Sequence, residues 1–315
     1  MADKNKIIVI CGPTASGKTG LSLLLAQRFN GEIISADSMQ IYRNLDVGTA
    51  KATKEEQSVA PHHLVDILNP DQPYNVQLFV DMAAKAIEDI SSRGKTAIIA
   101  GGTGLYIESL INGIKFSDQP DNTAVKQQLQ QELAENGKEY MYNILENIDP
   151  EYAATVHPNN TVRVLRAIEI YRLTGKTMSE QLADSRPQEK PYDVLILGLS
   201  FADRQKLYDN INMRVDVMMN DGLLDEAEYV FKNKDSFKTC TGAIGYKELF
   251  PYFEGNSTLE ECIDKLKQAS RNYAKRQLTW FNRMEEVNWL HIDKVDYKEC
   301  AVNMAGNFLE REING

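Results

Sequence analysis

The chain has 315 residues, 43% of them hydrophobic, enough to bury one large core or a core carrying an inserted subdomain. With 35 Lys and Arg against 45 Asp and Glu, the formal net charge of −10 argues against nonspecific attraction to a polyanion. No run approaches the roughly 18–20 apolar residues of a membrane helix, the start Met1-Ala2-Asp3-Lys4-Asn5-Lys6 is too polar for a signal peptide, and Cys11, Cys240, Cys262 and Cys300 form no Cys-x-x-Cys pair, so a reduced, cytoplasmic setting without zinc or disulfides is expected.

The apolar run 7–11 predicts a strand. It leads into Gly12-Pro13-Thr14-Ala15-Ser16-Gly17-Lys18-Thr19, which reads Gly-x4-Gly-Lys-[Ser/Thr], and then into a helix-favouring segment 21–29. Strand, glycine-rich loop and helix in that order are the context of a phosphate-binding P-loop. Backbone N–H groups would turn inward around a phosphate, aided by the positive end of the helix dipole. Lys18 would add a charge, and the Thr19 hydroxyl could hold Mg²⁺. The motif specifies a polyphosphate without saying which one, ATP included.

Further apolar runs at 32–35, 63–67 and 96–100 predict buried strands, with a helix at 76–93 before the last. This alternation implies an α/β fold: a P-loop core with a mostly parallel sheet flanked by helices. Ligands in such sheets bind at the carboxyl ends of strands. Three of the predicted strands end in suggestive chemistry, at Gly12 to Thr19, at Asp37-Ser38 and at Gly101-Gly102-Thr103-Gly104. Position alone leaves three roles open for Asp37: Mg²⁺ ligand, general base, or cap of a following helix.

From 117 to 190 the strand-like runs stop, and helical patterns fall at 123–135, 139–147 and 161–173. In the third, Val164, Ile168 and Tyr171 share one face, and Arg163 and Arg166 lie on another. Residues 117–190 are therefore expected to form an all-helical insertion, with 1–116 and 191–315 making up the core. A strand at 194–199 re-enters the sheet, helices follow, the last at 259–283, and a strand at 287–291 comes near the end. Within 259–283, Ile263, Leu266, Tyr273 and Trp280 make an apolar stripe, and Lys267, Arg271 and Lys275 line another face. Such a face is either a solvated surface or a track for phosphates.

The residues leave several functions open. A kinase could use Asp37 as base and Arg163 and Arg166 as lid arginines. A transferase could use the P-loop to hold a diphosphate leaving group. An NTP-gated nucleic-acid-binding protein is weakened by the lack of a second nucleotide-hydrolysis motif.

Several blocks taken in order resemble the bacterial tRNA dimethylallyltransferase family (isopentenyl-diphosphate:tRNA transferases). Beyond the P-loop they are Asp37-Ser38-Met39-Gln40-Ile41-Tyr42, Gly48-Thr49-Ala50-Lys51, Pro61-His62-His63-Leu64-Val65-Asp66 and Gly101-Gly102-Thr103-Gly104-Leu105-Tyr106. His157-Pro158-Asn159-Asn160, Arg163 with Arg166-Ala167, Arg214-Val215-Asp216, Gly245-Tyr246-Lys247-Glu248 and Lys275-Arg276-Gln277-Leu278-Thr279-Trp280 continue the set. The resemblance implies transfer of a dimethylallyl group from dimethylallyl diphosphate to N6 of the adenosine 3′ of a tRNA anticodon, with Mg²⁺ as cofactor. A monomer is expected, since no apolar surface stripe suggests a partner. The resemblance also implies catalytic roles for Asp37, Thr103 and Arg214, and a diphosphate seat on Gly12, Pro13, Thr14, Ala15, Ser16, Gly17, Lys18 and Thr19. By the same resemblance, Asp37, Ser38, Met39 and Gln40 hold the extruded adenine. Contacts to tRNA would come from Thr103, Lys126, Val162, Arg163, Val164, Leu165, Arg166, Gly242, Ala243, Ile244, Gly245, Tyr246, Lys247, Lys275 and Arg276. The helical insertion would grip the anticodon stem-loop. Val162 departs from the family's usual Gln, and the zinc-finger extension of eukaryotic relatives has no counterpart here. Relatives that prenylate free adenine nucleotides share the P-loop and the Asp, so AMP or ATP is the alternative acceptor.

Overall fold

Six strands form one all-parallel sheet in the order β3-β2-β4-β1-β5-β6. The computed structural model describes residues 4–116, 122–185, 187, 189–237, 239–294 and 296–311. The first part of the chain runs β1 (Asn5–Cys11), α1 (Lys18–Arg28), β2 (Gly31–Ser35), α2 (Lys54–Val59), β3 (His62–His63), α3 (Val76–Ser92), β4 (Thr96–Ala100) and α4 (Gly104–Ile111). Four helices follow: α5 (Thr123–Ile148), α6 (Pro150–Ala153), α7 (Thr161–Thr174) and α8 (Met178–Ser185). The chain then returns through β5 (Tyr192–Ser200), α9 (Arg204–Asn220), α10 (Leu223–Lys232), α11 (Phe250–Phe253), α12 (Leu259–Phe281), β6 (Val287–His291) and α13 (Tyr297–Glu310). Two compact units result, one of Met1–Ile111 with Pro191–Gly315, the other of Asn112–Lys190. The predicted insertion boundary at Ser117 lies outside the described residues.

The sheet is buried on both faces, which is why its strands read as unbroken apolar runs. Alternate residues of β1 point to opposite sides. Ile7, Val9 and Cys11 pack with α3, α4, α10 and α12, whereas Ile8 and Ile10 pack with α1 and α13. The Glu32 carboxylate on β2 is buried, paired with Arg93 and Lys95 and hydrogen-bonded to His63. These donors hold its pKa well below the usual carboxylate range, the Arg93 hydrogen bond contributing most.

One predicted strand differs. The strand expected over 63–67 shrinks to His62–His63, because Leu64 (φ 61°) and Asp66 (φ 56°) turn into the left-handed region. The chain turns there to donate Ile67 N–H to Ile41 O, and Asp66 pairs with the buried Lys51 ammonium. The helices expected at 123–135 and 139–147 are both present within the span of α5, separated by the non-helical Gly137 (φ 81°, ψ 177°).

In the helical unit Leu129, Met141, Leu145, Val156, Val164, Leu165 and Ile168 form a separate core. Tyr171, placed by the pattern with Val164 and Ile168, is instead exposed. Among the described residues no helix is long and apolar enough to cross a membrane.

Candidate active site

Strand order decides what meets at the carboxyl edge of the sheet. Because β4 lies between β2 and β1, the P-loop after β1, Asp37 after β2 and Gly101 to Thr103 after β4 come out side by side.

The P-loop follows β1 through backbone that alternates in hand, with positive φ at Gly12 (138°), Ala15 (60°) and Gly17 (80°). Gly12 is obligatory here: a Cβ would sit 2.3 Å from the Leu199 carbonyl oxygen of β5. Ser16 Oγ donates to Pro13 O across the loop (2.8 Å). The loop ends at Gly17, and the first turn of α1 carries Lys18 and Thr19. Lys18 Nζ folds back to donate to Gly12 O (3.1 Å) and Pro13 O (2.7 Å). Burial, with help from the Arg214 charge, lowers its pKa to about 8.

Asp37 caps a turn rather than a helix. Its Oδ1 accepts from the Met39 N–H (2.8 Å) and the Gln40 N–H (3.3 Å). Burial raises its pKa against the pull of these amides and of Lys18 and Arg214. The carboxylate thus gains proton affinity while its orientation is fixed. Arg214 belongs to a face of α9 shared with Ile211, Val215 and Met218, spaced at i, i+3, i+4 and i+7. Burial lowers its pKa, and the Asp37 charge opposes that shift.

Two cavities meet at these residues. One, of about 410 Å³, is lined by Thr14 to Thr19, Asp37, Gly101, Gly102 and Arg214. The other, of about 420 Å³, is lined by Asp37, Ser38 and Met39, by Ile211, Val215 and Met218 of α9, by Gly242 to Lys247, and by Arg276. Thr14, Asp37, Thr49, Ala50, Arg214 and Tyr273 belong to both walls. The first chamber is an anion cradle. The second has an apolar flank and polar rim of the kind that takes a flat, partly polar ring. Asp37 and Arg214 stand where they join.

Thr103, expected at the diphosphate, lines neither chamber: its Oγ1 is buried beside the Tyr273 hydroxyl.

The structure brings most of the expected site together, but not all of it. Gln40 lines the phosphate chamber, its amide engaged by Ser35 Oγ, Thr49 O and Ala50 O. Tyr246 is fully buried, so its contribution to the wall is structural. Lys275 lies apart from both chambers, exposed beside Arg204 and Tyr208. The basic track expected on α12 is also partly spent: Lys267 pairs with Asp216 (2.6 Å) and Arg271 donates to Asn212 Oδ1 (2.6 Å). In the helical unit, Lys126 and Arg163 are exposed and Val162 is 80% exposed. Arg166 pairs with the buried Glu169 (2.7 Å). Val164 and Leu165 are corrected from contact residues to core residues, since their side chains pack inside that unit.

Three residues that frame the site escaped the sequence reading. Gln277 is 5% exposed; its Oε1 accepts from Thr14 N–H and its Nε2 donates to Gly102 O, each at 2.9 Å. It ties the P-loop to the loop after β4. Tyr273, assigned by pattern to an apolar stripe, faces both chambers, and burial pushes its phenol up to about 12. Glu226 holds the loop before Thr49. The available signal was a buried polar residue on an otherwise apolar helical face, visible for Gln277 only once burial is known.

Fold and site define an α/β protein with a P-loop-like core, whose glycine-rich-loop chamber opens into a second chamber. The profile described as IPP transferase matches residues 40–284, and one described as isopentenyl transferase matches residues 5–66. The chain is 48% identical over 313 residues to a tRNA dimethylallyltransferase of Bacillus cereus (strain AH187), covering 99% of this chain and 98% of that one. A tRNA dimethylallyltransferase of Bacillus anthracis is 47% identical over 291 residues, 92% of this chain and 91% of its own length. Among solved structures, the full-length tRNA isopentenylpyrophosphate transferase from Bacillus halodurans superposes with a TM-score of 0.72 at 42% identity, covering 98% of each chain. A eukaryotic dimethylallyltransferase acting on tRNA gives a TM-score of 0.81 at 31% identity, over 99% of this chain and 81% of that one. The chain belongs to the IPP transferase family.

Proposed function

We propose that this protein transfers the dimethylallyl group of dimethylallyl diphosphate to N6 of the adenosine 3′ of the anticodon in tRNA, releasing diphosphate. The observation that carries the reading is the junction of an anion cradle and a ring-sized chamber at Asp37 and Arg214. The family's relatives, named for dimethylallyl transfer to tRNA, supply the identity of donor and acceptor.

The chemistry suits the residues. An adenine amine is a poor nucleophile because its lone pair is delocalised into the ring. The allylic C1–O bond breaks readily when its electron pair, departing with diphosphate, is stabilised. P-loop N–H groups and the charges of Lys18 and Arg214 border the chamber where that charge would develop. The N6 lone pair forms the new bond to C1, and the N6 proton passes to the Asp37 carboxylate. Burial favours that transfer by raising the proton affinity of Asp37. Tyr273, whose hydroxyl stays protonated, helps close the junction against water.

The residues fit Mg²⁺ only as an ion carried largely by substrate. Among the described residues no group of three or more His, Cys, Asp or Glu is placed to hold a metal. The Thr19 hydroxyl lines the anion cradle, and the Asp37 carboxylate is kept for the N6 proton. That donor set suits an ion that keeps several waters and takes further ligands from phosphate oxygens. Bound so, Mg²⁺ would supply charge neutralisation to the leaving diphosphate.

For tRNA to reach Asp37, the adenine must leave the anticodon-loop stack, at a cost of a few kcal/mol. Met39, Ser38 and the segment Gly242 to Lys247 would receive it, and Lys126, Arg163 and Arg166 of the helical unit would hold the stem-loop. We place the reaction in the cytoplasm, with the protein as a monomer. Incubation with labelled dimethylallyl diphosphate, Mg²⁺ and unmodified tRNA, AMP or ATP in parallel arms tests the proposal. Label enters tRNA alone. Label in AMP or ATP with none in tRNA would replace the acceptor, and γ-phosphate transfer from ATP would replace the reaction.

A further inference from the structure

Glu226 on α10 lines neither chamber, yet four hydrogen bonds converge on its carboxylate. Oε2 accepts from the Asp46 N–H (2.6 Å) and the Val47 N–H (3.0 Å). Oε1 accepts from the Gly48 N–H (2.8 Å) and the Tyr246 hydroxyl (2.8 Å). Three successive backbone amides turned toward one carboxylate form an anion-binding nest, filled here by the protein's own side chain. The fourth donor comes from a segment almost 200 residues further along the chain.

The two segments so tied touch each other closely. A Cβ on Gly48 would lie 2.6 Å from Tyr246 Cε1, and Gly245 packs nearby with φ 112°. Tyr246 is fully buried. Beyond the tie, Gly48, Thr49 and Ala50 on one side and Gly242 to Lys247 on the other line the 420 Å³ chamber. Thr49 and Ala50 also reach the anion cradle. Neither segment is helix or strand where it lines the chamber, apart from the short 3₁₀ turn Cys240–Gly242, so no regular hydrogen-bond ladder fixes their spacing.

We infer that Glu226 is the positioning residue of the acceptor chamber: by clamping the 46–48 amides and the Tyr246 hydroxyl together, it sets the width of the slot that receives the tRNA base. The inference rests on the proposed transfer to tRNA. Charge-assisted hydrogen bonds to a carboxylate are roughly twice as strong as neutral ones, and here four share one anchor. Losing it leaves the P-loop, Lys18 and Arg214 in place but frees the opposite wall.

The test is steady-state transfer to tRNA with Glu226→Ala and Glu226→Gln, alongside inorganic diphosphate affinity measured directly. Glu226→Ala raises KM for tRNA roughly tenfold or more, as expected when charge-assisted bonds that preorganise a binding wall are removed. KM for dimethylallyl diphosphate and Kd for inorganic diphosphate stay unchanged. Glu226→Gln falls between, since one carbonyl oxygen still accepts while its NH2 faces donors. An unchanged KM for tRNA in both variants overturns the inference, as does an equal loss of diphosphate affinity, which would mark general damage. Should Glu226→Ala fail to fold, the isosteric Glu226→Gln carries the same comparison. Wild-type protein that leaves tRNA unlabelled removes the proposed function itself, a result distinct from labelling by the wild type with no change in the variants.

Discussion

Gln277→Leu isolates the link between α12 and the glycine-rich loop. The wild-type amide joins Thr14 N–H and Gly102 O, both at 2.9 Å, from a position 5% exposed. Leucine matches the bulk and removes both bonds, leaving one donor and one acceptor without partners. Each orphaned buried group costs about 1–3 kcal/mol. The Gly102 half falls on folding stability, since that bond is fully enclosed. The Thr14 half falls on the P-loop, whose competent conformation loses a tether. If about 1–2 kcal/mol of that half is expressed in ligand binding, Kd for inorganic diphosphate rises about 5- to 30-fold. Titration calorimetry with Mg²⁺-diphosphate reads the Thr14 effect and urea unfolding reads the Gly102 effect. A diphosphate Kd equal to or tighter than wild type, with an unmoved unfolding midpoint, would refute the claim that Gln277 positions the loop.

Asp37→Asn keeps an acceptor for the Met39 and Gln40 amides but cannot take the N6 proton; kcat should fall roughly 10²–10⁴-fold while diphosphate binding persists, and retained turnover would remove Asp37 as the base. Lys18 has its pKa lowered to about 8, so in the free protein it is charged below that pH and neutral above it. Diphosphate affinity should therefore weaken as pH rises from 7 to 9, and the Lys18-dependent part of that slope should vanish in Lys18→Met; identical slopes in the two proteins would discard the assignment. Arg166→Ala frees the buried Glu169 carboxylate and removes a cation from α7; tRNA Kd should rise severalfold with diphosphate Kd unchanged, and an unaltered tRNA Kd would show that the helical unit grips elsewhere.

The phosphate cradle and its supporting strand were legible because their requirements are local. A strand, a turn that only glycine can make at Gly12, and a helix start lie within one stretch of chain. The parallel sheet was legible for a similar reason: strands buried on both faces must be apolar throughout, and the alternation with helices is written along the sequence. Asp37 could be placed near the cradle from its strand-end position, but whether it was a base, a ligand or a cap depended on the amides that orient it and on its burial. The strand expected at 63–67 failed because apolar character does not distinguish a strand from a buried turn. There, the Lys51 ammonium and the Ile41 carbonyl, both distant in sequence, drew the chain aside.

By itself the sequence determined the class of fold, the glycine-rich loop between strand and helix and, through ordered motifs, the family. Only the tertiary structure decided that Gln277, Tyr273 and Glu226 frame the site, that Val164 and Leu165 are core, and that Lys267 and Arg271 are already paired. The physical reason is range. Periodicity and turn chemistry act over a few residues, so they leave a trace along the chain. A hydrogen bond from residue 14 to residue 277, or from residue 48 to residue 226, exists only after the sheet order has brought them together.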